Sequence, residues 1–168
     1  MKAMHPCERV GLEFFESAPY RIVHTADFPV PPARLFEVLS DGAAWPQWFE
    51  VVKSATWTSP EPHGVGSTRT VVMNGNVTAT EEFIAWEPHR HLAFRFNECN
   101  SARVRGSAEE YRIETSADGC RLTWTMAQYP VTSSRLMTKL AKHLMDKACR
   151  RALVSLREYT DRRFGMVL

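Results

Sequence analysis

"TRTVVMNGNVTATEEFIAW", residues 68–86, is the stretch from which the fold can be read. Two alternating runs flank Asn74-Gly75, a preferred pair for a tight hairpin because both central positions need positive φ. A two-residue loop there pairs 73 with 76, 72 with 77, 70 with 79 and 68 with 81. One face then carries Thr68, Thr70, Val72, Val77, Ala79, Glu81 and Phe83. The other carries Arg69, Val71, Met73, Asn76, Thr78, Thr80 and Glu82, and its greater polarity directs it outward. A three-residue loop would reverse one strand. The inward face is made largely of small residues, which leaves space rather than filling it.

Outward from the hairpin the period of two persists. "VVKSATWT" precedes it across a Pro/Gly-rich turn, and "HLAFRFNE", "ARVRGSAEEYRIETS" and "CRLTWTMAQY" follow it, separated by "EPHR" and "ADG". Upstream, "YRIVHTADF" (20–28) alternates as a further strand. "PVPPARLFEVLSD" then starts a helix on Pro31 and Pro32, with Leu35, Phe36 and Leu39 at helical spacing. Asp41 and Gly42 end it, and Pro46 suits the first turn of a short second helix through "WPQW". Residues from about 133 to 163 read as one long helix, capped by Thr132, Ser133 or Ser134. Its apolar positions recur every four residues, so the stripe rotates by about 40° per step and suits a twisted surface beneath it.

The layout is therefore α+β: a strand, two short helices, about six further antiparallel strands, and a long carboxy-terminal helix covering the curved sheet. At 168 residues the chain has the length of one domain. Residues 1–18 show weak periodicity and read as a loosely packed extension, with the domain proper over 19–164. The composition is that of a soluble globular protein, 44% hydrophobic and 24% charged. A net charge of +2 gives no global pull toward nucleic acid. No window approaches the roughly 18 apolar residues of a membrane span, and the amino terminus lacks the apolar region of a signal peptide, so a cytoplasmic protein without stable membrane insertion is expected. The four cysteines (Cys7, Cys99, Cys120, Cys149) have no metal-ligand spacing and read as reduced thiols. No metal and no cofactor is expected, since no zinc pattern, P-loop, nucleophile elbow or dinucleotide fingerprint occurs.

The ordered set of "PPARLFEVLSDGAAWPQW", "GVGS", "TEEFIAWEPHRHLAFRF", "YRIE…GCRLTWTM" and the final helix resembles the START-like helix-grip superfamily (SRPBCC). Its bacterial polyketide cyclase/dehydrase-like branch is the most similar. The resemblance covers about residues 19–163. It implies a helix-grip fold, a curved sheet of about seven strands (β-αα-β6-α) around the long helix, with an apolar pocket between them.

Parity along the strands nominates the residues that line such a pocket. They are Thr70, Val72, Ala79, Glu81 and Phe83 on the hairpin, Phe94 and Phe96 on the next strand, then Tyr111, Trp124 and Met126, with Glu109 and Ser107 on the same face as Tyr111. The helix adds Met137, Leu140, Ala141, Leu144, Met145 and Ala148, a methionine-rich wall able to adapt to varied ligands. The resemblance implies that Trp45 and Trp48 sit at the junction of helices and sheet, one closing the core and the other near the entrance. Glu81, Glu109 and Tyr111 are the candidate catalytic residues, because a carboxyl facing an apolar cavity acquires a raised pKa suited to acid–base work. No inward arginine is evident, which leaves cyclase chemistry without the cation that the resemblance implies. The expected function is binding of a small hydrophobic, lipid- or polyketide-like molecule by a monomer or homodimer. An aromatase/cyclase-type enzyme and a regulatory or co-chaperone-like interaction module are the alternatives. The helix also carries Lys139, Lys142, Lys147, Arg150, Arg151, Arg157, Arg162 and Arg163, a solvated face or a contact for an anionic surface.

Overall fold

A computed structural model of the chain describes residues 3–165. The elements are β1 (His5–Pro6), α1 (Phe14–Ser17), β2 (Tyr20–Phe28), α2 (Pro32–Ser40), α3 (Trp45–Trp48), β3 (Val52–Trp57), β4 (Thr68–Met73), β5 (Val77–Glu87), β6 (His91–Cys99), β7 (Ser107–Ser116), β8 (Gly119–Gln128) and α4 (Arg135–Phe164). The antiparallel sheet runs β2-β8-β7-β6-β5-β4-β3, with β1 added on β6. This is the expected seven-strand curl gripped around the carboxy-terminal helix.

Between α2 and α3, residues 42–44 form a 3₁₀ turn, opened by the Asp41 side chain accepting from the Ala43 amide at 3.0 Å. A Cβ on Gly42 would lie 2.7 Å from the Ala55 carbonyl oxygen, so glycine is what lets this turn rest on β3. Pro46 occupies the first turn of α3, where its missing N–H has no helical partner to lose. The pair of helices thereby delivers Leu35, Leu39, Trp45, Trp48 and Phe49 into the core.

The hairpin differs from expectation by one residue. Met73 pairs with Val77, so the loop is the three residues Asn74, Gly75 and Asn76. Both Gly75 (φ 72°) and Asn76 (φ 57°) are left-handed, a conformation asparagine tolerates better than most side chains. The extra residue reverses β4. Arg69 and Val71 are buried against the core and Met73 packs on it, while Thr70 and Val72 lie on the outer face. On β5, Ala79, Glu81 and Phe83 face inward as expected. A bulge after Phe83 then places Ala85 on the outer face.

The amino-terminal segment is not loose. Pairing of β6 with β7 stops at Arg95–Ala108, and β1 takes up the vacated edge of β6, with the Cys7 amide donating to the Asn97 carbonyl at 2.8 Å. Val10, Phe14 and Phe15 then cover a patch of alanines (Ala85, Ala93, Ala108, Ala127) on the outside of the sheet. Small residues on four adjacent strands let the two phenylalanines approach the backbone closely. Burying each contributes about 1.5–3 kcal/mol.

Helix α4 is capped by Ser134, whose hydroxyl accepts from the Met137 amide, and ends on left-handed Gly165. Only its second half grips the sheet, through Cys149, Ala152, Leu153 and Leu156. The first half does not. Leu136, Met137, Leu140, Ala141 and Leu144 are exposed, and of the expected pocket wall only Met145 remains in contact with the core. The reason is length: 30 residues of helix span about 45 Å, whereas a ten-residue strand spans about 33 Å, so one end overhangs.

Candidate functional site

Strand register places a row of polar side chains across the inner face of the sheet. Arg69 on β4 stands opposite Glu81 on β5, Glu81 opposite Phe96 on β6, and Glu109 on β7 opposite Phe94 and Met126. Arg69 is completely buried, and its Nε donates to Glu81 Oε2 at 2.5 Å. Its guanidinium carbon sits 4.3 Å from the Trp45 ring centre, 4.6 Å from that of Phe94 and 5.1 Å from that of Phe83. Both terminal nitrogens lack a hydrogen-bond acceptor, so the surrounding ring faces are what meets their charge. Burial pushes the Glu81 carboxyl up, and Arg69 opposes that rise. This inward arginine corrects the expectation that none exists. It was hidden by the hairpin's extra residue.

Glu109 has different company. Its Oε2 accepts from the Tyr111 hydroxyl at 2.5 Å and from Trp124 Nε1 at 3.0 Å. Burial raises its carboxyl to about 7. The hydrogen bond from Tyr111 works against that rise, and the nearby Glu81 adds to it. The Tyr111 hydroxyl is itself driven well upward, first by burial and then by Glu109, so it is a fixed proton donor. The three candidates Glu81, Glu109 and Tyr111 are thus brought together with Arg69 and Trp124.

Glu109 also reaches a cavity of about 150 Å³ between the sheet and α4. Its apolar lining comes from Phe49, Val51, Met73, Val77, Phe96, Val104, Met126 and Met145, with Ser107 and Gln128 as polar neighbours. Glu109 is the one ionisable group among these lining residues. Two larger clefts flank Asp27 and Arg157; one holds the Arg121–Asp27 pair at 2.7 Å, and the other mixes Ala26, Phe28, Leu153 and Val154 with Arg157, Glu158 and Asp161. Among the described residues no group of three or more His, Cys, Asp or Glu side chains is placed to hold a metal ion. None forms a helix long and apolar enough to cross a membrane.

Of the residues expected on the inner face of sheet and helix, Val77, Phe96, Ser107, Glu109, Met126 and Met145 line the cavity. Ala79, Phe83, Phe94, Tyr111 and Trp124 are buried on the same face but belong to the packed core and do not line the cavity. Thr70 and Val72 lie on the other face, and Met137, Ala141 and Leu144 are on the overhanging helix. Trp45 and Trp48 are each 2% exposed, and neither reaches an entrance. Trp45 is pinned by its Nε1 donating to the Leu39 carbonyl at 3.0 Å, and the two rings pack at 4.8 Å. The next residue, Phe49, lines the cavity instead. Val51, Met73, Val104 and Gln128 were not anticipated: Val51 and Gln128 sit at strand boundaries where parity is undefined, Val104 lies in the loop between β6 and β7, and Met73 was turned inward by the hairpin's extra residue.

An inward-curled sheet, a gripping helix and one apolar cavity with a single titratable wall group define a helix-grip protein. Residues 19–161 match the family described as polyketide cyclase / dehydrase and lipid transport, and the chain belongs to that family. An uncharacterized protein of Mycobacterium tuberculosis is 52% identical over 162 residues, covering 96% of this chain and 97% of its own. Solved structures share the fold at low identity. A protein of Thermus thermophilus superposes with a TM-score of 0.70 at 18% identity, over 84% of this chain and 97% of its own. DynU16, encoded in the dynemicin biosynthetic locus, superposes with a TM-score of 0.61 at 17% identity, over 84% of this chain and 47% of its own.

Proposed function

We propose that the protein binds a small, largely apolar molecule carrying one hydrogen-bonding group, in the cavity between the sheet and α4, with Glu109 as the anchor. The observation that carries this reading is the single titratable carboxyl in the wall of an otherwise apolar cavity. An apolar cavity near 150 Å³ suits a molecule about the size of benzene, so single-ring phenols and anilines are the expected class. The family description and the biosynthetic setting of DynU16 support a hydrophobic ligand. Because the carboxyl sits near neutrality, it can accept from a ligand N–H or O–H when charged and donate when protonated.

The same carboxyl favours a second reading, acid–base catalysis on the bound molecule, because such catalysis works best when the pKa lies near the operating pH. Native mass spectrometry of protein purified from its own host, with tryptophan emission followed during titration of phenols and anilines, separates the readings. Trp124 touches Glu109 and should report occupancy. One ligand per chain is expected, with affinity falling about tenfold in Glu109→Gln, the worth of one charge-assisted hydrogen bond. Absence of any bound species across the panel would remove the binding reading. Consumption of a ligand by the native chain, but not by a Glu109→Gln variant that still binds it, would establish the enzyme.

A further inference from the structure

The overhanging half of α4 is the largest departure from ordinary surface chemistry on the molecule. Leu136 is 76% exposed, Met137 51%, Leu140 49% and Leu144 58%. Leu136, Leu140 and Leu144 follow one another at intervals of four, forming a continuous ridge along the helix with Met137 beside it. Exposed side chains of this size in one patch mark an interaction site rather than random surface composition. The neighbouring row is cationic, Arg135, Lys139 and Lys142, and Lys147 lies one turn beyond Leu144. The only acid within residues 135–147 is Asp146, and it is engaged by Arg150 at 3.0 Å and by His24 at 3.0 Å.

We propose that this half of α4 is a docking surface for an anionic lipid bilayer, lying in the interface with its leucine ridge against the acyl boundary and its cations on the headgroups. The pairing of an apolar ridge with a basic flank on one helix is the pattern that such surfaces take up. A second copy of the chain fits less well. A symmetric contact through the ridge would set Arg135, Lys139 and Lys142 of one copy against the same cations of the other. Continuity with the cavity supports a lipid surface. Met145, the residue after Leu144, lines the cavity, so the ridge and the cavity share one stretch of α4.

The test is co-sedimentation with vesicles of pure phosphatidylcholine and of phosphatidylcholine mixed with phosphatidylglycerol, at low and high salt. The native chain is expected on the anionic vesicles and to be released by salt. Leu140→Gln/Leu144→Gln and, independently, Lys139→Glu/Lys142→Glu are expected to weaken binding about tenfold or more. All four side chains are exposed, so circular dichroism and melting temperature should match the native chain. No sedimentation with either vesicle, or equal sedimentation with both, would overturn the proposal. So would a dimer in light scattering that the leucine variant abolishes. The cavity ligand is a separate matter. Glu109→Gln should leave vesicle binding intact, so failure of one proposal leaves the other standing.

Discussion

Glu81 and Glu109 lie on the inner face of one sheet with a single strand between them, and both are almost completely buried. Burial raises both carboxyls. They part in their partners. Glu81 meets a guanidinium that is itself caged by three aromatic rings, so its charge is matched within the core, and Glu81 does not line the cavity. Glu109 meets only neutral donors, the Tyr111 hydroxyl and the Trp124 indole, and borders a cavity. A carboxyl with a direct cation is a structural fixture. One held by neutral donors beside free space can change its charge, and a ligand can be the agent of that change.

The sharpest way to break this contrast is to remove the cation. Arg69→Met should cost about 3–5 kcal/mol in urea unfolding, because Glu81 is left buried without a counter-charge. Adding Glu81→Leu should restore most of that loss, since apolar replacement of a buried pair is often neutral. A loss well below a kilocalorie for Arg69→Met alone would mean that Glu81 tolerates isolation as Glu109 does, and the contrast would collapse.

The second test acts on the other carboxyl. Glu109 titrates near 7 in the folded protein against an ordinary value of 4.5. Between those values the folded chain keeps a proton that the unfolded chain has released. Stability therefore falls as pH rises through this window, and the full cost is present above it. Glu109→Gln removes the titration while keeping a carbonyl that accepts from Tyr111 and Trp124. It should flatten the pH dependence of unfolding between pH 5 and 8, and at pH 8 be more stable by up to about 3 kcal/mol. An unchanged slope would place the titration elsewhere.

Much of this arrangement was legible in the sequence. Alternation in residues 77–86 and 107–128 put Glu81, Glu109, Tyr111, Trp124 and Met126 on the inner face, because a half-buried strand must alternate and its register is held by neighbours on both sides. Arg69 was lost to one residue. Asn76 has an asparagine's tolerance of positive φ and joined the turn, reversing β4 and hiding the cation that pairs with Glu81. The helix misled for a different reason. A four-residue apolar spacing is the same whether the stripe meets a sheet or overhangs it, and only the relative lengths of helix and strand separate Leu156, fully buried, from Leu144, 58% exposed. The cavity wall was the least legible part. Phe49, Val51 and Gln128 come from segment ends and Val104 from the loop between β6 and β7, where neither period applies.

The smallest expected effect sharpens the contrast most finely. Tyr111→Phe removes one of the two donors to Glu109 Oε2 and leaves the ring in its stack with Trp124, 5.4 Å between centres. Stability should drop by about 1 kcal/mol where the carboxyl is charged and by less where it is protonated, since a charged acceptor gains more from the bond. The hydrogen bond from Tyr111 favours the ionised form, so without it the Glu109 midpoint should move above 7. Carboxyl chemical shifts followed by NMR across pH 5–9 would register that move directly. An upward shift means that the Tyr111 bond holds Glu109 down against the rise that burial imposes. A midpoint that stays at 7 would mean that burial and the neighbouring Arg69–Glu81 charges poise Glu109 without help from Tyr111.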